Sequence, residues 1–282
     1  MQRRLERLRR NSAPVAPVRA ASHNARSMPR PKPNATPDDL AFGINPCAMA
    51  LDAGVVRALL YLEGTRNPRV LDLVRRASGL RLPVTPVDER RLDELTASGV
   101  HQGVLVRLAP LPPLDLAAAT RDQARPSLVL LLDSITDPQN VGAILRAAVA
   151  VGVDAIILPR RRGALLTPGV HRASAGLSFV APVAAPANLA QAARHLKDSG
   201  YWVVAAAADE ASQPATGFDW PKRTALILGS EGEGVGRLLL DLSDFRVALP
   251  MDPRVESLNV AVACGALAYL WKRQWGSPGP AA

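Results

Sequence analysis

The stretch "LVLLLDSITDPQNVGAILRAAVAVGVDAIILP", residues 128–159, has the pattern of a strand, a helix and a second strand. Residues 128–134 are a predicted strand that begins with a continuous apolar run, 128–132, which is typical of a strand buried on both faces of a parallel sheet. A polar loop follows, then a helix predicted over 140–151 and a strand over 154–159. This segment predicts an α/β fold with a parallel sheet.

The same alternation continues toward the C-terminus. It predicts an open, mostly parallel sheet covered by helices on both sides, with ligands at the carboxyl ends of the strands. Loops 133–140, 229–236 and 250–258 lie at such ends. The further predicted elements are a helix over 187–199, strands over 201–208, 224–230 and 245–250, and a helix from about 258 to 274.

A smaller α/β unit precedes this sheet. Its predicted helix over 67–79 places Leu71 and Val74 inward. The other predicted elements are strands over 54–64, 81–87 and 100–108 and a helix over 88–98. The predicted domains are a disordered tail 1–38, a small domain 39–109, a linker 110–126, a large domain 127–275 and a second tail 276–282.

Positive charge is concentrated at the N-terminus. The 282-residue chain has a formal net charge of +9, and residues 1–37 contain nine Lys and Arg against one acid. This proline-rich segment has few large apolar residues, so we expect it to be disordered. Three interpretations remain open: an arm that attracts RNA, an extension without a function, or an organelle transit peptide.

Cysteine usage and hydropathy exclude several classes of protein. Cys47 and Cys264 stand far apart with no neighbouring histidine cluster, which indicates neither a disulfide framework nor a metal site. No apolar run reaches about 18 residues, so we expect no membrane segment. We expect a bacterial cytoplasmic protein, with an organelle matrix as the alternative.

The loop "GSEGEGVG", residues 229–236, follows a predicted strand. Its four glycines allow a ligand to approach the backbone, but its spacing matches neither of the common phosphate-binding motifs. Glu231 and Glu233 would repel phosphate. The loop therefore favours a ligand with hydroxyls, amines or a positive charge, unless it is only a turn between strand and helix.

Individual polar residues in the other two strand-end loops, and in the helices that follow them, are further candidates for the site. Ser257 is the predicted N-cap of the last helix, and Asn259 is predicted in its first turn. Arg146 lies six residues after Asn140 in an otherwise apolar helix. A buried, unpaired guanidinium would be costly. Arg146 therefore reaches a ligand anion, pairs with a carboxylate such as Glu231, or is exposed at the helix edge.

Together these loops resemble the three signature motifs of the SpoU/TrmH (SPOUT) family of RNA ribose 2′-O-methyltransferases. The matching segments are "DPQNVGAILRAA", "LILGSEGEGV" and "LPMDPRVESLNVAVACG", in the family's order. Upstream, "FGINPCAMAL" and "VHQGVLVRL" resemble the small substrate-binding domain of its ribosomal-RNA branch. The resemblance covers nearly all of residues 40–275 and is greatest to enzymes that methylate a guanosine of large-subunit rRNA.

The resemblance implies a C-terminal trefoil knot, a homodimer, S-adenosylmethionine as cofactor, RNA as substrate, and no metal. The residues that match the family's polar active-site positions are Asn140, Arg146, Glu231, Ser257 and Asn259. Those that match its cofactor-binding positions are Gly229, Ser230, Leu249, Met251 and Leu258. Three residues depart from the family's pattern: Pro253 replaces a glycine, and Glu256 and Ala261 replace small hydroxyl residues.

The implied reaction is an attack by a ribose 2′ oxygen on the methyl group of a sulfonium, so the protein mainly aligns the reactants. Our hypothesis is that Arg146 clamps the neighbouring phosphate and stabilises the developing alkoxide. Alternative functions are the same chemistry on tRNA or on an antibiotic-resistance site of rRNA, or a noncatalytic RNA-binding assembly factor. A nicotinamide-dependent enzyme is disfavoured, because the sequence lacks the glycine motif that binds dinucleotides.

Overall fold

The structure, a computed structural model, describes residues 39–111, 113–122, 124–159 and 166–276. Each of the two β-sheets in this part of the chain has its own helices. We name the two parts the four-stranded unit (Leu40–Leu108) and the seven-stranded unit (Ser127–Trp275). The predicted tails lie outside the described residues, except for Gly276.

The four-stranded unit has the strand order β1-β4-β2-β3. Only β2 and β3 pair in parallel; β4 is antiparallel to both β1 and β2. An apolar cluster beneath α1 and α2 forms its main core. The elements are β1 (Leu40–Phe42), α1 (Ile44–Asp52), β2 (Val56–Leu62), α2 (Pro68–Gly79), β3 (Val84–Val87), α3 (Glu89–Thr96) and β4 (Val104–Leu108).

The start and the buried face of helix α2 follow from its local sequence. The Asn67 side chain accepts a hydrogen bond from the Arg69 amide, and Pro68 occupies the first turn, where its missing N–H costs nothing. The buried residues are Val70, Leu73 and Ala77. The prediction for Leu71 is therefore wrong, since its side chain is exposed, whereas Val74 packs against the core.

The seven-stranded unit has the strand order β7-β6-β5-β10-β8-β11-β9, and every neighbouring pair is parallel. Apolar clusters cover both faces of the sheet, with α5 and α9 on one face and α7 and α8 on the other. The predicted fold class is confirmed. The strands are β5 (Ser127–Leu132), β6 (Ala155–Ile157), β7 (Val183–Ala184), β8 (Trp202–Ala206), β9 (Gln213–Pro214), β10 (Arg223–Leu228) and β11 (Phe245–Ala248).

The helices of the described chain after β4 begin with α4, which lies within the predicted linker. They are α4 (Leu116–Ala119), α5 (Pro138–Val151), α6 (Pro168–Ala173), α7 (Leu189–Asp198), α8 (Arg237–Leu242) and α9 (Val260–Trp275), with a 3-10 helix at Leu177–Phe179. The Arg223 guanidinium donates to the carbonyl oxygens of Thr120, Asp122 and Ser199, so the end of the linker is fixed to the sheet.

The segment quoted first forms β5, α5 and β6. All residues of β5 are buried. The Asp137 side chain accepts from the Gln139 amide, and Pro138 starts α5 two residues before the predicted position. Gly152, with a φ of 82°, ends the helix in the left-handed conformation that glycine adopts readily.

Strand β10 enters the sheet between two strands that precede it in the chain. Leu226 lies opposite Leu130 of β5 on one side and Val204 of β8 on the other. After β11, the chain crosses the carboxyl ends of these strands, and α9 packs against α5. The trefoil knot implied by the family resemblance stays a prediction.

Of the helices in the described ranges, none is long and apolar enough to cross a membrane.

Candidate active site

A cavity of about 370 Å³ lies at the carboxyl ends of β8, β10 and β11. This volume is within the range of small-molecule sites. The start of α9 closes one side of the cavity. Its wall includes seven predicted site residues, namely Gly229, Ser230, Glu231, Leu249, Met251, Ser257 and Leu258.

The glycine loop after β10 folds tightly back on itself. Ser230 and Gly234 form an isolated bridge, in which the Gly234 amide donates to the Ser230 carbonyl at 3.0 Å. A Cβ on Gly229 would overlap the carbonyl carbon of Gly234. Gly232 has a φ of 98°, a conformation that other residues rarely adopt. The loop therefore presents its backbone to the cavity.

Glu231 joins all three of the quoted sequence motifs. Its Oε1 accepts from Nδ2 of Asn140 at 3.2 Å and from Nδ2 of Asn259 at 2.8 Å. Asn259 Nδ2 also donates to Asn140 Oδ1 at 2.7 Å. Among the described residues, Glu231 Oε2 has no hydrogen-bond partner. This second oxygen can therefore accept a hydrogen bond from a bound amine or hydroxyl.

Asn259, and not Ser257, is the N-cap of α9. Its Oδ1 accepts from the amides of Ala261 and Val262. The Val260 amide points to Glu231 Oε1 at 3.4 Å, so the positive end of the helix faces this carboxylate. The prediction that Ser257 is the N-cap and that Asn259 lies in the first turn is wrong, because Asn259 itself caps α9 and also binds Glu231.

Arg146 stands apart from this network. It lies about 9 Å along the helix axis from Asn140 and is exposed on α5. It makes no hydrogen bond or ion pair with any residue that the structure describes, and it does not line the cavity. The alternative of an ion pair with Glu231 is wrong. Of the options left open by the sequence, exposure at the helix edge is the one observed, and the guanidinium is free to bind an anion.

The ionisable side chains in the cavity wall are all acids: Glu231, Glu233 and Glu256. No Lys or Arg is among the residues of the wall, whose remainder is Ser230, Ser257, apolar side chains and glycine backbone. Carboxylates attract a cationic ligand and repel phosphates. The wall therefore fits a cationic ligand with apolar surface, which is the character of S-adenosylmethionine. In the described ranges, no group of three potential metal ligands occurs.

Pro253 lies in a tight turn beside the cavity. The Val255 amide donates to the Asp252 carbonyl, and the Arg254 guanidinium makes two hydrogen bonds to the Asp252 carboxylate, at 2.8 and 2.9 Å. These bonds and the Asp252 carboxylate's bond to the Arg254 amide lower the pKa of Asp252. Proline suits such a turn, so its replacement of glycine is compatible with an ordered loop.

Two family models match the chain. Residues 127–269 match the SpoU rRNA methylase family, and residues 40–114 match the family described as RNA 2′-O ribose methyltransferase substrate binding. The chain belongs to the SpoU rRNA methylase family. The motifs quoted above, and the loops that meet at Glu231, lie within the first of these matches.

Relatives within the SpoU family agree with this assignment. The chain is 40% identical over 223 residues to the 23S rRNA (guanosine-2′-O-)-methyltransferase RlmB of Pseudomonas aeruginosa, covering 78% of this chain and 89% of that protein. The SpoU methyltransferase AviRb of Streptomyces viridochromogenes, solved with AdoMet, has a TM-score of 0.72, 26% identity, and coverage of 83% and 89%. The AdoMet-bound rRNA methyltransferase of Sinorhizobium meliloti has a TM-score of 0.69, 26% identity, and coverage of 84% and 88%.

Sequence reasoning missed part of this SpoU cavity. Residues 206–208, at the end of β8, form one wall, and Val260, Ala263 and Leu267 of α9 form another. One signal for this wall was available, because the strand predicted over 201–208 ends there. In the structure this strand is β8, which pairs with β10. Loop 133–140, in contrast, contributes through the hydrogen bonds of Asn140 and not to the cavity wall.

Proposed function

We propose that this protein transfers a methyl group from S-adenosylmethionine to a ribose 2′-hydroxyl of RNA, and that the target is a guanosine of large-subunit rRNA. The observation that carries this proposal is the acidic, glycine-lined cavity joined through Glu231 to Asn140 and Asn259. The name of the Pseudomonas relative supports the guanosine substrate. An rRNA substrate and relatives from bacteria favour a location in the bacterial cytoplasm.

The cavity wall would hold the cofactor, which supplies a methyl group on a positively charged sulfur. Gly229 and Ser230 offer backbone groups at close range, while Leu249, Met251 and Leu258 offer apolar contacts. Glu231 Oε2 can accept a hydrogen bond from the cofactor's amino group or from the ribose hydroxyl. Because the leaving group is a neutral thioether, the residues mainly need to align the two reactants.

The polar residues have distinct proposed roles. Asn140 and Asn259 are held rigid by their shared bonds to Glu231 and can orient the ribose. Arg146 keeps its guanidinium free for the phosphate beside the target ribose, where it would also stabilise negative charge on the 2′ oxygen. Ser257, in the cavity wall, orients the loop before α9.

The four-stranded unit is proposed to select the RNA. Three of its exposed arginines, Arg57, Arg66 and Arg81, have guanidinium groups that form no hydrogen bond or ion pair within the described chain. Free guanidinium groups can bind phosphates and release counterions. Proteins recognise RNA mainly by shape and by unpaired bases. We therefore expect this unit to bind a structured region of the rRNA.

A homodimer is proposed from an exposed two-helix surface, the α5/α9 face. Positions 139, 143 and 150 of α5 are exposed at helical spacing, as are positions 262, 266, 269 and 273 of α9, whereas the exposed Arg146 is left outside the proposed contact because we assign it to RNA. The two helices pack together, with Ala147 against Gly265. Val262 is 58% exposed and Tyr269 is 51% exposed. Burial of such a surface by a second copy is favourable.

Val262→Asp should convert the dimer to a monomer, because a carboxylate would be buried where the Val262 side chain makes an apolar contact with the second copy. Light scattering after size exclusion should give twice the chain mass of 29.9 kDa for the wild type and a single chain mass for the variant. The matched control is Leu238→Asp, at a residue that is 57% exposed on α8. A dimeric Val262→Asp variant, or a monomeric wild type, would contradict the proposed interface.

The substrate is tested by mapping 2′-O-methyl groups in RNA from cells with and without the gene. We expect one guanosine mark in 23S rRNA to disappear on deletion and to return with the wild-type gene. A gene encoding Arg146→Ala should not restore it. Loss of a mark from tRNA instead would change the substrate class, and unchanged marks in both RNAs would favour the assembly factor.

A further inference from the structure

Residues 168–179, which form α6 and the 3-10 helix, lie between the two units. We name them the bridging segment. On one side the segment packs against α5, where a Cβ on Gly142 would overlap the Cβ of Ala173. On the other side it packs against α1, where a Cβ on Gly176 would lie 2.7 Å from the Cβ of Met49. The segment thus contacts both units closely at these two glycines.

Phe179 is the main apolar contact between the bridging segment and the four-stranded unit. By sequence it follows β6 of the seven-stranded unit, yet its side chain belongs to the core cluster of the four-stranded unit and is only 9% exposed. Other members of that cluster include Cys47 and Val106. The core of the four-stranded unit is therefore completed by a residue from the other unit.

The His171 ring packs against the ring of Phe179. The two rings stack with centroids 4.4 Å apart, and the histidine Nδ1 lies 2.8 Å from Ser178 Oγ. Burial lowers the pKa of His171 to about 4, so the ring is neutral at neutral pH. A second contact between the units is Arg172, whose guanidinium lies 5.7 Å from the ring centre of Phe42.

We propose that the bridging segment holds the four-stranded unit in one orientation relative to the active site, so that RNA is bound by both units as one surface. In this proposal, which rests on the proposed function, Phe179 is a positioning residue for RNA. The connection to the chemistry is direct, because the segment packs on α5 between Asn140 and Arg146, at Gly142. A change in the segment's position therefore alters the distance between the RNA-binding surface and the methyl-transfer site.

The test is Phe179→Ala in the full-length protein. We expect the KM for rRNA to rise roughly a hundredfold, because two linked units that no longer bind the RNA as one surface lose an avidity of about 10² or more. S-adenosylmethionine affinity and kcat should stay near wild-type values. X-ray scattering should show a larger radius of gyration, since the units separate. In Phe179→Leu, the KM for rRNA and the radius of gyration should both stay close to their wild-type values. The matched control is Val180→Ala, at an exposed neighbouring residue.

A second variant tests the same contact from the other unit. Met49→Ala removes the side chain that packs on Gly176, and we expect the same rise in KM and in radius of gyration. If Phe179→Ala fails to fold, Met49→Ala decides the question. Wild-type scattering and KM in a folded variant would overturn the proposal. If the wild type methylates no rRNA while both variants still expand, the docking stands and the proposed function fails.

Discussion

We expect Arg146→Lys to lower kcat for RNA methylation about a hundredfold while S-adenosylmethionine affinity is unchanged. Removal of one donor that stabilises a developing negative charge typically costs 10²- to 10³-fold. Lysine keeps the positive charge but cannot make the two parallel hydrogen bonds of a guanidinium. Cofactor affinity should not change, because Arg146 does not line the cavity.

The salt dependence of RNA binding separates charge from geometry at this position. Arg146→Ala removes one phosphate contact, so the slope of log K against log salt should fall by about 0.7 to 0.9. Arg146→Lys should keep the wild-type slope and still lose kcat. The matched control is Arg194→Ala, since Arg194 is an exposed arginine on α7 with no ion pair in the described ranges.

Near wild-type kcat in Arg146→Lys would show that a point charge is sufficient and would contradict the bidentate clamp. Weaker S-adenosylmethionine binding in either variant would contradict the placement of Arg146 outside the cofactor cavity. The free guanidinium makes this test informative, because substitution breaks no hydrogen bond or ion pair among the described residues. We therefore expect the melting temperature of both variants to stay near that of the wild type.

The sequence predicted the sheet well because buried parallel strands leave a strong local pattern. The continuous apolar runs at β5 and β10 are buried at every position. Element ends were less accurate. Helix α5 begins at Pro138 because Asp137 caps it, and the wrong interior position at Leu71 came from a one-residue error in helical phase.

What the sequence could not predict depends on contacts between distant segments. Ser257 and Asn259 are both good capping residues, and the choice between them is settled by Glu231, which binds the Asn259 amide. The bridging segment was missed for a similar reason. It contains only a six-residue helix and one turn of 3-10 helix, and Phe179 is buried by the other unit.

Gly229→Ala should weaken S-adenosylmethionine binding at least about a hundredfold, which corresponds to about 3 kcal/mol. The added Cβ would overlap the Gly234 carbonyl carbon, and backbone, unlike a flexible side chain, cannot move aside easily. The glycine loop must therefore open, and Glu231, two residues later, would move away from Asn140 and Asn259. Cofactor binding and the alignment of the polar residues should be lost together.

Calorimetric titration of the cofactor measures this effect, with Gly217→Ala as the matched control because a Cβ there meets nothing within 4 Å. ATP should bind neither protein, since the cavity wall contains three acids and no basic side chain. Helix α9 and the sheet core do not depend on Gly229, so the variant should stay folded by circular dichroism. A folded Gly229→Ala variant with wild-type affinity would show that the cofactor binds elsewhere. The role of the acidic cavity would then have to be abandoned, because the glycine loop that folds back on Gly229 forms part of that cavity's wall.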